Sequence, residues 1–427
     1  MKLKRSLTLV LALVMTVCLA ACINTPADPD ATYHSGIDVN PDYAGNYASV
    51  FSGDKIVTVN ITVDANNYAA MLSEPEAETF YSADVKIENE SITKAGFRTS
   101  GNTDLSEFDA DTQTRFCFKI KFDKYVEKQK FLKLDEMSLL NLNGDPSYMR
   151  IYIALNAYRA LGCDAPYCTF AKLYINGTYT GLYLAVEGVD DAFLKRVYGN
   201  NDGTLYKAME GADLYDSASL SLLDQKNGTD KSKEDLDTLI TTLAAMPYGE
   251  KGDIESILNV DNVLRYLAVT TGLGIYKSYL SKNPDNYYLS CNDGKFTIIP
   301  WDVKSAFGAA NKDNGATVTL SPYEPVYRTT MDERPLASKL LAVPEYLAAY
   351  ESYVAKVREY LDGVEAQIEK LDALIGSSVQ EDPTAFYSYE QYLVSIGRSD
   401  ASGNTTGIVT LAEYAALRRD YLVSVNF

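Results

Sequence analysis

The sequence predicts an α+β protein with two lobes, a β-rich lobe over residues 51–189 and a mainly helical lobe over residues 190–427. Alternating apolar and polar residues dominate the first part, whereas helical spacing of apolar residues dominates the second. One further hairpin pattern lies among the predicted helices. A chain of 427 residues with 46% hydrophobic and 23% charged residues is long enough and apolar enough to bury a sizeable core.

The first lobe begins with consecutive strand patterns. Residues 55–63 alternate β-branched and polar residues, which is typical of a strand. A short helix is predicted over 66–72, and strands are predicted over 81–88 and 92–99. Residues 115–122 alternate again, so four strands are expected before the first long helix.

The strand predicted over residues 115–122 has two different faces. Its aromatic and aliphatic side chains occupy one face, and Cys117, Lys119 and Lys121 occupy the other. The sequence therefore predicts two lysines that project from the same face of one strand.

A helix and a hairpin complete the β-rich lobe. The residues Asp145-Pro146-Ser147 are a helix-start signal, and apolar residues at helical spacing predict a helix that ends at Gly162. Strands over 170–175 and 179–186 flank Asn176-Gly177, the strongest short hairpin signal.

The second lobe is predicted to contain several helices around one hairpin. The hairpin strands cover residues 286–290 and 295–300 and are followed by Trp301-Asp302. The helices are predicted over 191–197, 233–245, 254–275 and 335–374.

Charge and histidine content exclude several classes of function. The formal net charge is −19, which disfavours a nucleic-acid partner because phosphate binding needs a basic surface. The single histidine, His34, precedes all periodic segments, so Ser-His-Asp catalysis and histidine-rich metal sites are unlikely classes for this chain. Chemistry by carboxylates, amides and cations with a hard metal remains, as does a purely binding role.

The N-terminus has the pattern of a bacterial lipoprotein. Residues 1–21 combine a basic start, an apolar stretch and small residues before Cys22, which predicts a signal peptide with Cys22 as the lipid-bearing first residue of the mature chain. Residues 22–50 are predicted to be a flexible tether. The expected location is the extracytoplasmic face of the cell membrane; an ordinary secretory signal and a short membrane anchor are the alternatives.

Four cysteines follow Cys22, and their spacing matches no zinc pattern. We expect buried free thiols, with a disulfide between Cys163 and Cys168 as the alternative.

Several motifs follow one another along the chain in a distinctive order. They are Gly96-Phe97-Arg98-Thr99-Ser100-Gly101-Asn102, Phe118-Lys119-Ile120-Lys121-Phe122, Asn141-Leu142-Asn143-Gly144-Asp145-Pro146-Ser147, Tyr174-Ile175-Asn176-Gly177, Glu187, Asn286-Tyr287-Tyr288-Leu289, Ile299-Pro300-Trp301-Asp302 and Leu411-Ala412-Glu413-Tyr414. Taken together, these motifs resemble the CotH family of spore-coat and secreted kinases. The resemblance covers roughly residues 54–427, and the order of predicted elements is that of a protein-kinase-like fold. CotH proteins are atypical kinases that transfer the γ-phosphoryl group of ATP to Ser of coat or surface proteins, and one eukaryotic branch acts as adhesins.

The resemblance implies an ATP site with Mg²⁺ or Mn²⁺. Asn286 precedes the second hairpin and Asp302 follows it, so both oxygens are expected at one end of the hairpin as metal ligands. The alternative is that the two residues merely end strands. The expected nucleotide contacts are Arg98 and Gly101 at a turn near phosphate, Lys119 or Lys121 on the α- and β-phosphates, and Glu187 at a kinase-like hinge.

The sequence departs from the family pattern at two acidic positions. Lys277 occupies the stretch where the family has the Asp expected to act as catalytic base, and Lys304 replaces a second Asp. Asp285 is the candidate substitute for the base, and Lys277 is a candidate for stabilising the transferred phosphoryl group. Three hypotheses remain open: an active Ser kinase with a protein substrate, a pseudokinase lipoprotein for surface binding or envelope assembly, and an adhesin.

Overall fold

The computed structural model describes residues 47–101, 115–309, 317–400 and 403–427. The predicted signal peptide, Cys22 and nearly all of the predicted tether lie outside these residues. Within them, no helix has the length and apolar character needed to cross a bilayer. Helices and β-sheets are both present, which confirms the α+β class.

Seven strands form a closed barrel. Going around the barrel, the strands follow the order 1-2-3-4-5-7-6. Neighbouring strands are antiparallel, except that the first and sixth run parallel, with Val59 paired with Leu173. The bounds are β1 Val57–Val63, β2 Tyr81–Ile87, β3 Glu90–Ser100, β4 Cys117–Lys121, β5 Glu136–Leu140, β6 Cys168–Ile175 and β7 Thr178–Glu187.

Alternation along the strands fills the barrel with apolar side chains. In β4, Phe118 and Ile120 are buried in the barrel core, and the Phe118 ring stacks on Phe97 at 4.9 Å. Lys119 and Lys121 alternate with these residues and are only partly buried. The predicted two-faced strand is therefore confirmed.

The predicted hairpin around Asn176-Gly177 is present as β6 and β7. Both turn residues have positive φ, 50° at Asn176 and 79° at Gly177, as a type I′ turn requires. The Asn176 side chain also accepts a hydrogen bond from the backbone N–H of Val63 at 2.9 Å. The turn thus connects the hairpin to the end of β1.

A second sheet of four antiparallel strands lies in the later part of the chain. Its order is 11-10-8-9. The hairpin of β10 and β11 was predicted, but β8 and β9 were not, because both are short and lack a clear alternating pattern. The bounds are β8 Thr204–Ala208, β9 Leu223–Asn227, β10 Tyr287–Asn292 and β11 Lys295–Pro300.

Each predicted helical region contains an α-helix, with two corrections to the predicted lengths, and the helices Tyr389–Ser395 and Leu411–Ser424 were not predicted. The prediction of one helix over 335–374 is wrong, because the backbone is extended at Val343 before Pro344 and a new helix begins after Gly363. The prediction over 254–275 is wrong at its start, because Asn259 caps a helix whose first residue is Val260. The bounds are α1 Ala65–Ser73, α2 Arg150–Ala160, α3 Asp191–Tyr198, α4 Glu234–Ala245, α5 Val260–Gly272, α6 Pro335–Ala342, α7 Pro344–Asp362, α8 Val364–Gln380, α9 Tyr389–Ser395 and α10 Leu411–Ser424.

The four cysteines predicted as buried thiols are all buried and free. The alternative disulfide between Cys163 and Cys168 is therefore not formed. Because these side chains are enclosed in the core, they act as small apolar residues.

Candidate active site

The end of the β10–β11 hairpin brings Asn286 and Asp302 together. Tyr287 pairs with Pro300 as the last pair of the ladder, and the backbone N–H of Trp301 donates to the carbonyl oxygen of Asn286 at 3.1 Å. Asn286 and Asp302 both have left-handed backbone conformations, with φ of 57° and 44°. Such conformations are uncommon outside glycine, Asn and Asp, and they turn both residues out of the ladder at the same end.

Asp285 belongs to the same group of residues. The pKa of its carboxyl is raised to about 6, chiefly by burial and next by the negative charge of Asp302, while Lys277 and Lys304 act in the opposite direction. Its Oδ1 atom is buried and has no hydrogen-bond partner among the described residues. The predicted base Asp285 therefore lies close enough to the predicted metal ligand Asp302 and the predicted catalytic cation Lys277 to interact electrostatically with both.

The oxygen atoms at this hairpin end suit a hard divalent cation. Asp302 and Asn286 make no side-chain hydrogen bond or ion pair with any other described residue, so their oxygens are open to a ligand, as is the orphaned Oδ1 of Asp285. Among the described residues, no group of three or more His, Cys, Asp or Glu side chains could hold a metal. The carboxylate of Asp302 and the amide of Asn286 are ligands that phosphate oxygens and waters would complete around Mg²⁺.

The outer face of the barrel supplies the predicted phosphate-binding lysines. Lys119 is paired in register with Arg98 on β3, and its ammonium contacts the carboxylate of Glu136 at 2.9 Å. Lys121 contacts Asp123 at 3.1 Å. Each of the two lysines therefore has a carboxylate partner, which a phosphate would have to replace or share.

Arg98 and Gly101 contact a carboxylate of this chain. The guanidinium of Arg98 forms an ion pair with Glu78, and the backbone N–H of Gly101 donates to the same carboxylate at 3.1 Å. Gly101 has a φ of 104°, and a β-carbon there would meet no atom of the described residues within 4 Å. The two groups predicted to bind phosphate thus converge on one anion, which is the Glu78 side chain.

The side chain of Glu187 has a structural role. Its carboxylate is fully buried, forms an ion pair with Arg196 at 2.7 Å and accepts hydrogen bonds from the Tyr47 hydroxyl at 2.6 Å and the Tyr167 backbone N–H at 2.8 Å. These partners leave the carboxylate no exposed surface for a cofactor.

The lysines at the two acidic family positions flank Asp285. Lys277 is exposed, and its backbone N–H donates to the Ser305 hydroxyl at 3.2 Å, next to Lys304. Both lysines lower the pKa of Asp285. The carboxylate of Asp285 is therefore accompanied by two cations.

Sequence reasoning missed Lys207, a half-buried lysine on β8. Burial lowers the pKa of its ammonium, Lys119 and Lys226 lower it further, and Asp302 and Glu136 act in the opposite direction. Lys207 is thus near both the barrel lysine and the hairpin end. Its short strand carries no periodic signal, and its neighbours come from residues far away in the sequence.

Carboxylate and amide oxygens with lysines near them, as at this hairpin end, are the residue types that phosphoryl transfer uses. A protein-family model described as CotH kinase protein matches residues 97–422, which is well over half of the chain. The chain therefore belongs to the CotH kinase family.

Two individual proteins show similarity to the chain. The inner spore coat protein H of Bacillus subtilis (strain 168) is 26% identical over 242 residues, which cover 54% of this chain and 64% of that protein, less than two thirds of its length. In a solved complex of Shewanella oneidensis MR-1 HipA, HipB and operator DNA, one chain matches with a TM-score of 0.31 and 11% identity, over 84% of this chain and 78% of that chain. A TM-score this low is too weak to support a conclusion about fold.

Proposed function

We propose that this protein is an extracytoplasmic kinase that transfers the γ-phosphoryl group of ATP to a Ser hydroxyl of a surface or coat protein, with Mg²⁺ or Mn²⁺. The observation that carries the proposal is the hairpin end, where Asp285, Asn286 and Asp302 present oxygens that no other described residue engages. Membership of the CotH kinase family supports a kinase-like role. The two-lobed, kinase-like arrangement of the barrel and the helical part belongs to this proposal.

The residues have distinct roles in the proposed reaction. When bound, a divalent cation would neutralise charge on the phosphates. Asp302 and Asn286 would hold it, and Lys119 would bind phosphate oxygens from the barrel side. Asp285 would accept the proton of the acceptor Ser hydroxyl. The hydroxyl oxygen would bond to the γ-phosphorus while the bond from the γ-phosphorus to the β-phosphate oxygen breaks. Lys277 would stabilise the negative charge on the transferred group.

The proposed location and acceptor have separate support. The lipoprotein pattern ending at Cys22 supports a lipid anchor on the extracytoplasmic face of the membrane. The curated relative is named as a spore coat protein, which supports a coat or surface protein as the acceptor.

A second candidate function is a pseudokinase lipoprotein that binds surface proteins or takes part in envelope assembly. Lys277 and Lys304 favour it, because both stand where the family pattern has Asp and both influence the remaining acid. In this case nucleotide would bind without turnover, or would not bind.

The first test measures thermal unfolding of the full-length chain with and without ATP and Mg²⁺ or Mn²⁺, together with ATP turnover. Nucleotide at about 100 times its dissociation constant should stabilise the fold by about 2.7 kcal/mol, and Asp302→Asn should abolish that metal-dependent gain. Asp293→Asn is the matched control, because Asp293 has a similar left-handed backbone at the other end of the same hairpin.

The outcomes separate the two functions. Metal-dependent stabilisation with turnover, both lost in Asp302→Asn, supports the kinase. Stabilisation without turnover supports the pseudokinase. Full metal-dependent stabilisation in Asp302→Asn would contradict the assignment of Asp302 as a metal ligand.

A further inference from the structure

Lys207 stands on the sheet face that leads to the hairpin end. It is paired in register with Tyr288 on β10, which is paired in turn with Ile299 on β11. Directly paired residues project from the same face of a sheet. Tyr288 and Ile299 pack with Val189 and Phe193 in an apolar cluster on this face. The Lys207 side chain therefore lies on the same face of the sheet, beside this cluster.

The hairpin end is close to Lys207 along the sheet. The last pair of the ladder is Tyr287 with Pro300; Asn286 lies one residue before it and Asp302 two residues after it, at about 3.3 Å per strand position. Trp301 continues the same face and packs edge-on against Tyr288 at 5.7 Å. The ammonium of Lys207 therefore has Asp302 within electrostatic reach.

Lys207 differs from the neighbouring lysines in having no direct partner. Lys119 is paired with Glu136 at 2.9 Å, and Lys226 is paired at 2.5 Å with Asp224, the residue beside Lys207 on β9. Across the part of the chain that the structure describes, the Lys207 ammonium makes no hydrogen bond or ion pair.

An unpaired, half-buried ammonium near a second ammonium is unfavourable by itself. It loses hydration on folding, and Lys119 repels it. A ligand with several negative charges, bound between Lys119 and Lys207, would reverse both effects. The outer phosphates of a nucleotide have this charge, and a cation held by Asp302 would contact the same phosphates.

We propose that Lys207 binds the β- and γ-phosphates of the nucleotide, so that Lys119 from the barrel and Lys207 from the sheet hold the phosphate chain from two sides. This inference rests on the proposed function, because it assigns a further residue to the same nucleotide site. It also accounts for a half-buried cation that has no direct partner among the described residues.

The test compares the affinities of the full-length chain for Mg-ATP, Mg-ADP and AMP by isothermal titration calorimetry. Lys207→Met should weaken Mg-ATP and Mg-ADP binding by about tenfold or more, as expected for the loss of a charged hydrogen bond, and should leave AMP binding unchanged. Lys207→Arg should restore most of the loss, because it keeps the charge. Lys226→Met is the matched control and should bind all three nucleotides like the unaltered chain.

Each outcome decides a different question. An equal loss for AMP would overturn the phosphate contact, and so would unchanged binding of all three nucleotides by Lys207→Met. Absence of nucleotide binding by the unaltered chain would instead overturn the proposed function. The melting temperature without ligand serves as the folding check, and Lys207→Met should not lower it because the ammonium has no direct partner to lose.

Discussion

The barrel side and the hairpin end of the candidate site differ in whether their polar and charged side chains have partners among the described residues. On the barrel side, Arg98, Lys119 and Lys121 are each paired with a carboxylate, and Glu187 is buried against Arg196. At the hairpin end, the side-chain oxygens of Asn286 and Asp302 have no partner among the described residues. The barrel side must therefore exchange internal partners to bind a phosphate, whereas the hairpin end can accept a cation without breaking a side-chain contact to any described residue.

The largest effect should come from breaking the buried pair on the barrel side. We expect Glu187→Ala to lower the free energy of unfolding by about 3–5 kcal/mol, because the Arg196 charge would remain buried without its partner. Urea unfolding curves measure this change.

The comparison between the two regions supplies the control. Asp302→Asn should change the free energy of unfolding by only about 0.5 kcal/mol or less, since its carboxylate has no partner among the described residues. A small change for Glu187→Ala, or a large one for Asp302→Asn, would remove the distinction between the two sides.

A smaller effect is expected from restoring acids at the hairpin end. The pseudokinase candidate predicts that the double variant Lys277→Asp and Lys304→Asp raises metal-dependent ATP turnover by at least about tenfold, because a positioned carboxylate base contributes at least that much to proton transfer. The proposed kinase would instead lose turnover in this variant, because the Lys277 charge is removed. Release of phosphate from ATP measures the rate. Lys282→Asp, an exposed lysine in the same segment, is the control, and a double variant no faster than this control would argue against a degenerate kinase site.

The smallest effect is expected from changing Glu78, whose carboxylate contacts Arg98 and Gly101. Glu78→Gln should tighten Mg-ATP binding by about two- to fivefold, because a partly exposed ion pair contributes up to about 1 kcal/mol and would no longer compete with phosphate. Calorimetric titration measures the affinity. The exposed neighbour Glu76 gives the control Glu76→Gln, and equal affinities in the two variants would show that Arg98 and Gly101 do not bind the nucleotide.

The sequence predicts those features that depend on local patterns. The alternation around Lys119 and the turn at Asn176-Gly177 are properties of short segments, and the structure confirms both. The position of Asn286 and Asp302 at one end of the same hairpin is also a local feature, because it follows from the pairing of β10 with β11.

Features that depend on distant segments were not predictable in this way. Lys207 approaches Lys119 only because β8 pairs with β10 and the resulting sheet lies near the barrel strand β4. Glu78 reaches Arg98 from a segment twenty residues earlier, and Tyr47 reaches Glu187 from the start of the described chain. The types of the site residues were therefore accessible from sequence, whereas their partners required the fold.

The parallel pairing of β1 with β6 also imposes an order on folding. Val57 pairs with Ala171, so during synthesis from the N-terminus one edge of β1 stays unpaired until β6 has emerged. Unpaired strand edges are sites of aggregation, and long-range strand pairing forms slowly. Chains that end before β6 would keep this edge open, so the barrel requires the hairpin of β6 and β7 before it can protect its own first strand.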